Sequence, residues 1–185
     1  GPYSLFVSGN NGETFEKRSL LPFDCRNYYV TAGVLDQGEI IVYSYAYRTD
    51  TPIDEYNIDY VISIDEGRTW SEVQTTKIAR AIRNPQLSSK IGNLYFLHGR
   101  SGSMSHDPGN LVLYSSPDGI HWDDGIILHR KPFPNGYDAY SANEVIGKYD
   151  QTVPNRLLIQ SSIVYDAESK RVNEHHWWVE EIDGT

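Results

Sequence analysis

The fold of this chain is decided by Ser63-Ile64-Asp65-Glu66-Gly67-Arg68-Thr69-Trp70, which lies between two runs of β-branched and aromatic residues. In such a turn the Asp side chain accepts backbone N–H groups, and the Gly supplies a positive φ angle. We expect the closing Trp to pack the turn onto the sheet formed by its own strands. The stretch therefore predicts a tight, hydrogen-bonded turn between two antiparallel strands.

Two further stretches repeat this pattern, at 8–15 (S-G-N-N-G-E-T-F) and at 115–122 (S-S-P-D-G-I-H-W). The third departs most, because Asp118 is displaced by one position and His121 replaces Thr. Gly12, Gly67 and Gly119 are 55 and 52 residues apart, which is the size of a four-stranded blade. The residues predicted to build the three turns are Ser63, Asp65, Gly67, Thr69, Trp70, Asn10, Gly12, Phe15, Asp118, Gly119 and Trp122.

The rest of the chain reads as short strands separated by Gly, Asn, Asp and Pro clusters, with almost no helical periodicity. Strands are predicted at 3–7, 28–35, 40–47, 58–64, 93–98, 111–115, 125–129, 140–146, 157–165 and 174–180. The fold class is therefore all-β.

The three turns resemble Asp-boxes (BNR repeats, S-x-D-x-G-x-T-W) of the sialidase-like β-propellers. The resemblance implies a six-bladed propeller, of which this chain holds about three four-stranded blades. Its implied divisions are a partial blade at 3–23, blades at 24–80 and 81–131, and a partial blade at 136–185, all in one domain, 1–185.

Half a ring would leave long hydrophobic edges exposed, which proteins normally cover. Three explanations are open: the remainder of a longer chain, a homodimer that completes one propeller, or an open relative of the fold. We favour a missing remainder or a homo-oligomer.

Composition excludes several classes of function. A formal net charge of −9 argues against a nucleic-acid partner, which would require a basic face. The sequence has no apolar run long enough for a membrane span. Cys25 is the only cysteine, so no internal disulfide forms, and it reads as buried and inert. No cofactor motif or zinc spacing is present, so neither a cofactor nor a metal is predicted.

The adjacent His175-His176-Trp177-Trp178 does not predict a metal site. Strand alternation sends His175 and Trp177 to one face and His176 and Trp178 to the other. Packing between blades is the expected role.

Strand alternation also predicts where a site lies. The Asp-box turns occupy one end of the blades, so the starts of first strands and the ends of second strands share the opposite end. Arg48 and Arg100 are predicted at equivalent positions of successive blades, where guanidinium groups suit a carboxylate. The predicted substrate-binding residues at this end are Arg100, Arg48, Arg83, Arg26, Asn84 and Tyr165.

The family resemblance adds catalytic roles. Ala139-Tyr140-Ser141 resembles the segment that holds the sialidase nucleophile, which implies that Tyr140 is the nucleophile and that a carboxylate activates it. The stretch 94–100 resembles the strand that ends in a substrate-binding arginine. Asp50 and Asp107 are the candidate acid/base residues, in loops at the same end. Where sialidases carry a Glu, this chain has Arg83-Asn84-Pro85-Gln86.

The sequence thus predicts a sialidase-like glycoside hydrolase propeller that acts on glycans containing sialic or uronic acid. The alternatives are a non-catalytic glycan-binding or adhesion module and a propeller scaffold for assembly. Family habit implies a secreted, periplasmic or cell-surface location.

Overall fold

The computed structural model describes residues 3–24, 26–46, 57–101, 109–130, 140–147, 155–166 and 171–180. These residues form strands, turns and loops, and none of them is helical. The all-β fold class is therefore confirmed.

Four antiparallel sheets follow one another along the chain, and in each the strands are paired in sequence order. The first sheet holds β1 (Ser4–Val7) and β2 (Glu16–Leu20). The second holds β3 (Asn27–Val34), β4 (Ile40–Ala46), β5 (Asn57–Ser63) and β6 (Gln74–Lys77). The third holds β7 (Ile82–Leu87), β8 (Tyr95–Ser101), β9 (Leu111–Ser116) and β10 (Ile126–His129). The fourth holds β11 (Tyr140–Ile146), β12 (Arg156–Asp166) and β13 (Arg171–Glu180).

Three of these strands, β2, β6 and β7, have no range in the sequence prediction, and for β7 only a start near Arg83 was predicted. The strands β2 (EKRSL) and β6 (QTTK) are polar and partly exposed, so they lack the apolar alternation of a half-buried strand. The strand β7 (IRNPQL) contains Pro85, which cannot donate a ladder hydrogen bond. Each is nevertheless paired by its neighbour in the sheet.

Each hydrophobic core lies between two consecutive sheets. One packs Val42 and Val61 of the second sheet with Leu5 of the first. The largest joins the second and third sheets, and a third core joins Phe96 and Leu113 to Leu157 and Ile159 of the fourth. Sheets stacked face to face in chain order are the arrangement expected of consecutive propeller blades.

The fourth sheet also locates the two tryptophans of β13. Trp177 packs against the core between the third and fourth sheets, and its ring lies 5.9 Å from that of His175. Trp178 faces the other way and is 52% exposed. The predicted alternation of these side chains, and the packing role of Trp177 between blades, are confirmed.

The three repeated turns use one hydrogen-bonding scheme. In the second turn, Gly67 N–H donates to Ser63 Oγ at 2.8 Å, and Thr69 N–H donates to Asp65 Oδ1 at 2.9 Å. The first turn makes the same two bonds with Ser8 and Asn10 as acceptors. Hydrogen bonds from Thr69 and Ser63 lower the pKa of Asp65 to about 2.

The third turn uses Ser116, and not Ser115, as its serine. Gly119 N–H donates to Ser116 Oγ at 2.9 Å, and Ser116 Oγ donates to Asp118. The alignment of Ser115 with Ser63 was therefore wrong: this turn lacks the residue between Asp and Gly. Burial alone would raise the pKa of Asp118, but hydrogen bonds, foremost from His121, hold it below its ordinary value.

The closing tryptophans join the second and third turns to the preceding sheet. This corrects the expectation that each tryptophan packs onto the sheet formed by its own strands. Trp70 Nε1–H donates to Ser19 of the first sheet at 2.9 Å, and Trp122 Nε1–H donates to Tyr43 of the second at 3.3 Å. The Tyr43 hydroxyl in turn donates to the carbonyl of Gly119. The turns are thus part of the contact between sheets.

Candidate functional site

The antiparallel order gives the sheets two rims. The rim that carries the repeated turns at 8–14, 63–70 and 116–122 is called the turn rim. The opposite rim, called the loop rim, holds the starts of β3, β7 and β11 and the ends of β4, β8 and β12. Because β3, β7 and β11 are the first strands of successive sheets, their starts lie side by side.

Two arginines of the third sheet lie directly opposite each other at the loop rim. Arg83 on β7 and Arg100 on β8 are Cα partners in the strand register. Both side chains are partly exposed. Two guanidinium groups, which are planar hydrogen-bond donors, are therefore presented at one level of the rim.

Each arginine lies against a tyrosine of a neighbouring first strand. The Arg83 guanidinium lies 5.0 Å from the centroid of the Tyr29 ring, and Arg83 Nη2 donates to the Tyr29 hydroxyl at 2.7 Å. The Arg100 guanidinium lies 5.1 Å from the centroid of the Tyr140 ring. Tyr29 belongs to the second sheet and Tyr140 to the fourth, so the four side chains form a row across three sheets. We call Tyr29, Arg83, Arg100 and Tyr140 the Tyr–Arg row.

The row combines aromatic surface with hydrogen-bond donors. Tyr29 is 40% exposed and Tyr140 is 53% exposed. Tyrosine rings pack against apolar faces while their hydroxyls keep a polar contact, and guanidinium groups over such rings are held by a cation–π attraction. A sugar ring has both an apolar C–H face and hydroxyl groups, so this surface is chemically suited to it.

The first strands β3 and β7 are bulged at equivalent points beside the row. The register shifts between Tyr28 and Val30 in β3, and between Arg83 and Gln86 in β7. Tyr29 (φ 53°) and Asn84 (φ 56°) both take the left-handed conformation there. Bulges of this kind re-aim side chains and are enriched next to active sites.

Two polar atoms at the bulge of β7 have no hydrogen-bond partner in the structure, although both are shielded from solvent. They are Arg83 Nε and Asn84 Oδ1. Buried polar atoms are nearly always hydrogen-bonded in native proteins. The hydrogen bonds among the described residues therefore leave these two atoms without a partner, although Arg83 Nη2 donates to Tyr29.

The register overturns the predicted equivalence of Arg48 and Arg100. Arg100 pairs with Arg83, whereas Tyr45 pairs with Tyr28 at the corresponding place in the second sheet. Tyr45 is thus the counterpart of Arg100. Arg48 itself lies outside the described residues.

A buried carboxylate supports the start of β3 from below. Asp59 accepts from Asn27 Nδ2 at 3.0 Å and from the Thr75 hydroxyl at 2.8 Å. Asp59 and Asn27 are 4% and 6% exposed. This contact was not predicted from the sequence, since nothing in the strand I-D-Y-V-I distinguishes a buried Asp from one on the solvent face.

We expect Asp59→Ala to lower the free energy of unfolding by about 1–3 kcal/mol, because it removes the acceptor of the buried Asn27 amide. Asp59→Asn, which keeps an acceptor of the same shape, should cost less. Chemical denaturation followed by circular dichroism measures both. Equal stability of the alanine variant and the unmodified chain would contradict the supporting role.

A buried histidine joins the third sheet to the strand that carries Tyr140. His98 is fully buried, and its ring nitrogens contact Ser141 Oγ and Asn143 Nδ2, each at 2.9 Å. Burial lowers the pKa of His98 to about 3. A neutral ring with a proton on Nδ1 fits both neighbours, since the Asn143 amide then donates to Nε2.

The structure brings together only some of the predicted site residues. Arg83, Asn84, Arg100 and Tyr140 lie at the loop rim, beside one another. Arg26 lies at this rim too, where its guanidinium is paired with Asp24 Oδ2 at 2.7 Å. Arg48, Asp50 and Asp107 lie outside the described residues, as does the side chain of Tyr165, so their roles stay predictions.

No group of three or more His, Cys, Asp or Glu side chains in the described ranges is arranged to hold a metal ion. No helix long and apolar enough to cross a membrane is found among the same residues.

Comparison with known proteins identifies the fold. No protein-family model and no curated protein sequence matches the chain. Among solved structures, the chain is similar to the α-L-arabinanase of Penicillium chrysogenum complexed with arabinobiose, at a TM-score of 0.66 and 12% identity. It is also similar to the GH93 α-L-arabinofuranosidase of Fusarium graminearum with arabinobiose, at a TM-score of 0.57 and 13% identity. These proteins are glycoside hydrolases with a propeller fold.

The chain has a β-propeller fold. The similarity covers 96% of the chain but only 54% of the arabinanase and 58% of the arabinofuranosidase. This propeller chain therefore spans little more than half the length of the solved structures that it matches. At such low identity the likeness establishes the fold, and the loop rim must be judged by its own chemistry.

Proposed function

We propose that the loop rim binds carbohydrate, and that the chain forms the sugar-binding face of a glycoside-hydrolase propeller that acts on L-arabinose-containing glycans. The observation that carries the proposal is the Tyr–Arg row, in which two adjacent guanidinium groups lie between two half-exposed tyrosine rings across three sheets. The arabinose-specific names of both structural neighbours support the choice of sugar.

The described residues supply binding groups more clearly than catalytic ones. Two carboxylates at the loop rim are already engaged, Asp24 by Arg26 and Asp59 by Asn27. Glycoside hydrolysis usually requires a pair of carboxyl groups that flank the scissile bond. In the proposal, Asp50 and Asp107 supply the acid/base function and Tyr140 contacts the reacting sugar.

Membership of the sialidase-like, Asp-box class is part of the proposal. It rests on the shared hydrogen bonds of the three turns, in which a Ser hydroxyl accepts from the Gly N–H and an Asp or Asn accepts from the residues that follow. These turns stabilise the contact between sheets and lie at the rim opposite the proposed site.

The direct test is calorimetric titration of the 185-residue chain with arabinobiose, together with a hydrolysis assay on arabinan. We expect saturable binding. Binding without hydrolysis would identify a non-catalytic glycan-binding module. Absence of both would refute the proposal.

A matched pair of arginine variants locates the site. We expect Arg83→Met to weaken arabinobiose binding about 10- to 100-fold, because it removes charged donors whose hydrogen bonds are each worth about 1.5–3 kcal/mol. The same change at Arg68, which lies on the turn rim with its guanidinium paired to Glu66, should leave the affinity unchanged. Equal losses in both variants would contradict a site on the loop rim.

An acidic glycan is the second candidate substrate. The direct opposition of Arg83 and Arg100 favours it, because two converging guanidinium groups suit a carboxylate. Titration with a sialoside and with a galacturonic acid disaccharide at low and high salt tests it. Tighter binding of these ligands than of arabinobiose, with strong weakening by salt, would favour the acidic glycan.

A further inference from the structure

Four residues other than glycine have a positive φ angle in the described part of the chain, and they fall into two pairs. Asn11 and Glu66 lie in the repeated turns of the turn rim. Tyr29 and Asn84 lie at the loop rim, in the bulges of β3 and β7. The two members of each pair are 55 residues apart, so they occupy the same place in successive sheets.

In the second pair, Tyr29 is the unexpected residue. Left-handed backbone is uncommon outside glycine, and for a bulky residue such as Tyr it is an outlier. The chain uses glycine at positive φ in its repeated turns, at Gly12, Gly67 and Gly119. At the two bulges it keeps a side chain, although glycine would relieve the backbone strain.

Both residues are next to the Tyr–Arg row in the chain or belong to it. Tyr29 is one end of the row and accepts a hydrogen bond from Arg83. Asn84 follows Arg83 directly, and its amide oxygen has no hydrogen-bond partner in the structure. Strained residues that cluster at a site are often retained because their side chains act there.

We propose that Tyr29 and Asn84 are sugar-contacting residues, and that the two bulges hold them in the left-handed conformation for this contact at a cost in stability. This inference rests on the proposed carbohydrate site. The tyrosine ring covers the apolar face of a sugar. The Asn84 amide, which has both donors and an acceptor, matches hydroxyl groups, which donate and accept, better than a carboxylate, which only accepts.

The test replaces each residue by glycine and measures two quantities, the melting temperature and the dissociation constant for arabinobiose. We expect Tyr29→Gly and Asn84→Gly to bind at least tenfold more weakly while their melting temperatures stay equal to that of the unmodified chain or rise. Asn11→Gly is the control: it relieves the same backbone conformation on the turn rim and should leave binding unchanged.

A second variant of Tyr29 tests whether a more flexible strand, and not the lost ring, causes the weaker binding. Asn tolerates the left-handed region, so Tyr29→Asn is compatible with the same backbone conformation and removes the aromatic ring. It should bind as weakly as Tyr29→Gly.

The outcomes separate this inference from the proposed function. A clear fall in the melting temperature of both glycine variants would show that the side chains serve packing and would overturn the inference. So would unchanged affinity in these variants while the unmodified chain binds arabinobiose. If the unmodified chain binds no sugar, the proposed function fails, and the inference fails with it.

Discussion

A Gly67→Ala variant is expected to lose about 2–5 kcal/mol of the free energy of unfolding. Two costs add at this position. Gly67 has a φ of +79°, which an alanine adopts only with strain, and a Cβ there would come within 2.2 Å of Leu5 Cδ2 in the first sheet. The repeated turn packs against the preceding sheet, so the partly buried Leu5 side chain must shift to make room for the added methyl group.

The first turn offers a matched control for this result. Gly12 holds the same place in its turn with a φ of +86°, but a Cβ built there meets nothing within 4 Å. Gly12→Ala should therefore cost only the backbone strain, about 1–2 kcal/mol. Denaturant unfolding followed by tryptophan fluorescence gives both values. Equal losses in the two variants would contradict a tight contact between the turn at Gly67 and Leu5 of the first sheet.

The stability of the chain is expected to fall by about 2 kcal/mol as the pH decreases from 6.5 to 5, because of His98. Its folded pKa of about 3 lies below the ordinary value of 6.5. Between these values His98 binds a proton in the unfolded state and not in the folded state, so a lower pH favours unfolding. The contribution of His98 is complete above pH 6.5 and is lost progressively toward pH 3.

A His98→Gln variant isolates this contribution. It should flatten the dependence of the unfolding free energy on pH between 6.5 and 5. Asp65 and Asp118 act at lower pH, since their ordinary pKa values are already near 3.8. If the dependence on pH is the same in the His98 variant and in the unmodified chain, the His98 ring is accessible to protons in the folded chain.

The fold was predictable because its decisive elements are local. The Ser, Asp and Gly of each repeated turn make their hydrogen bonds within about five residues, so their pattern survives in the sequence. The contacts of Trp70 and Trp122 were mispredicted because the pattern of a turn does not show which sheet its closing side chain reaches. The number of blades in a complete ring, the homodimer and the cellular location stay predictions.

The site was predictable only where strand alternation sufficed. Alternation placed Arg83, Arg100 and Tyr140 at the same rim. It did not show that Tyr29 joins them, because a bulge changes the direction of a side chain without a signal in the residue type. The role of Arg48 stays a prediction because this residue lies outside the described residues, and the strand register gives the place of Arg100 to Tyr45 in the second sheet.

The central claim is that the loop rim is the carbohydrate site of this propeller. Hydrogen–deuterium exchange of the chain with and without saturating arabinobiose tests it most directly. The account predicts added protection at the starts of β3, β7 and β11 and at the end of β8, with no change at 8–14, 63–70 or 116–122. Protection confined to those turns, or absent from the whole chain, would contradict it.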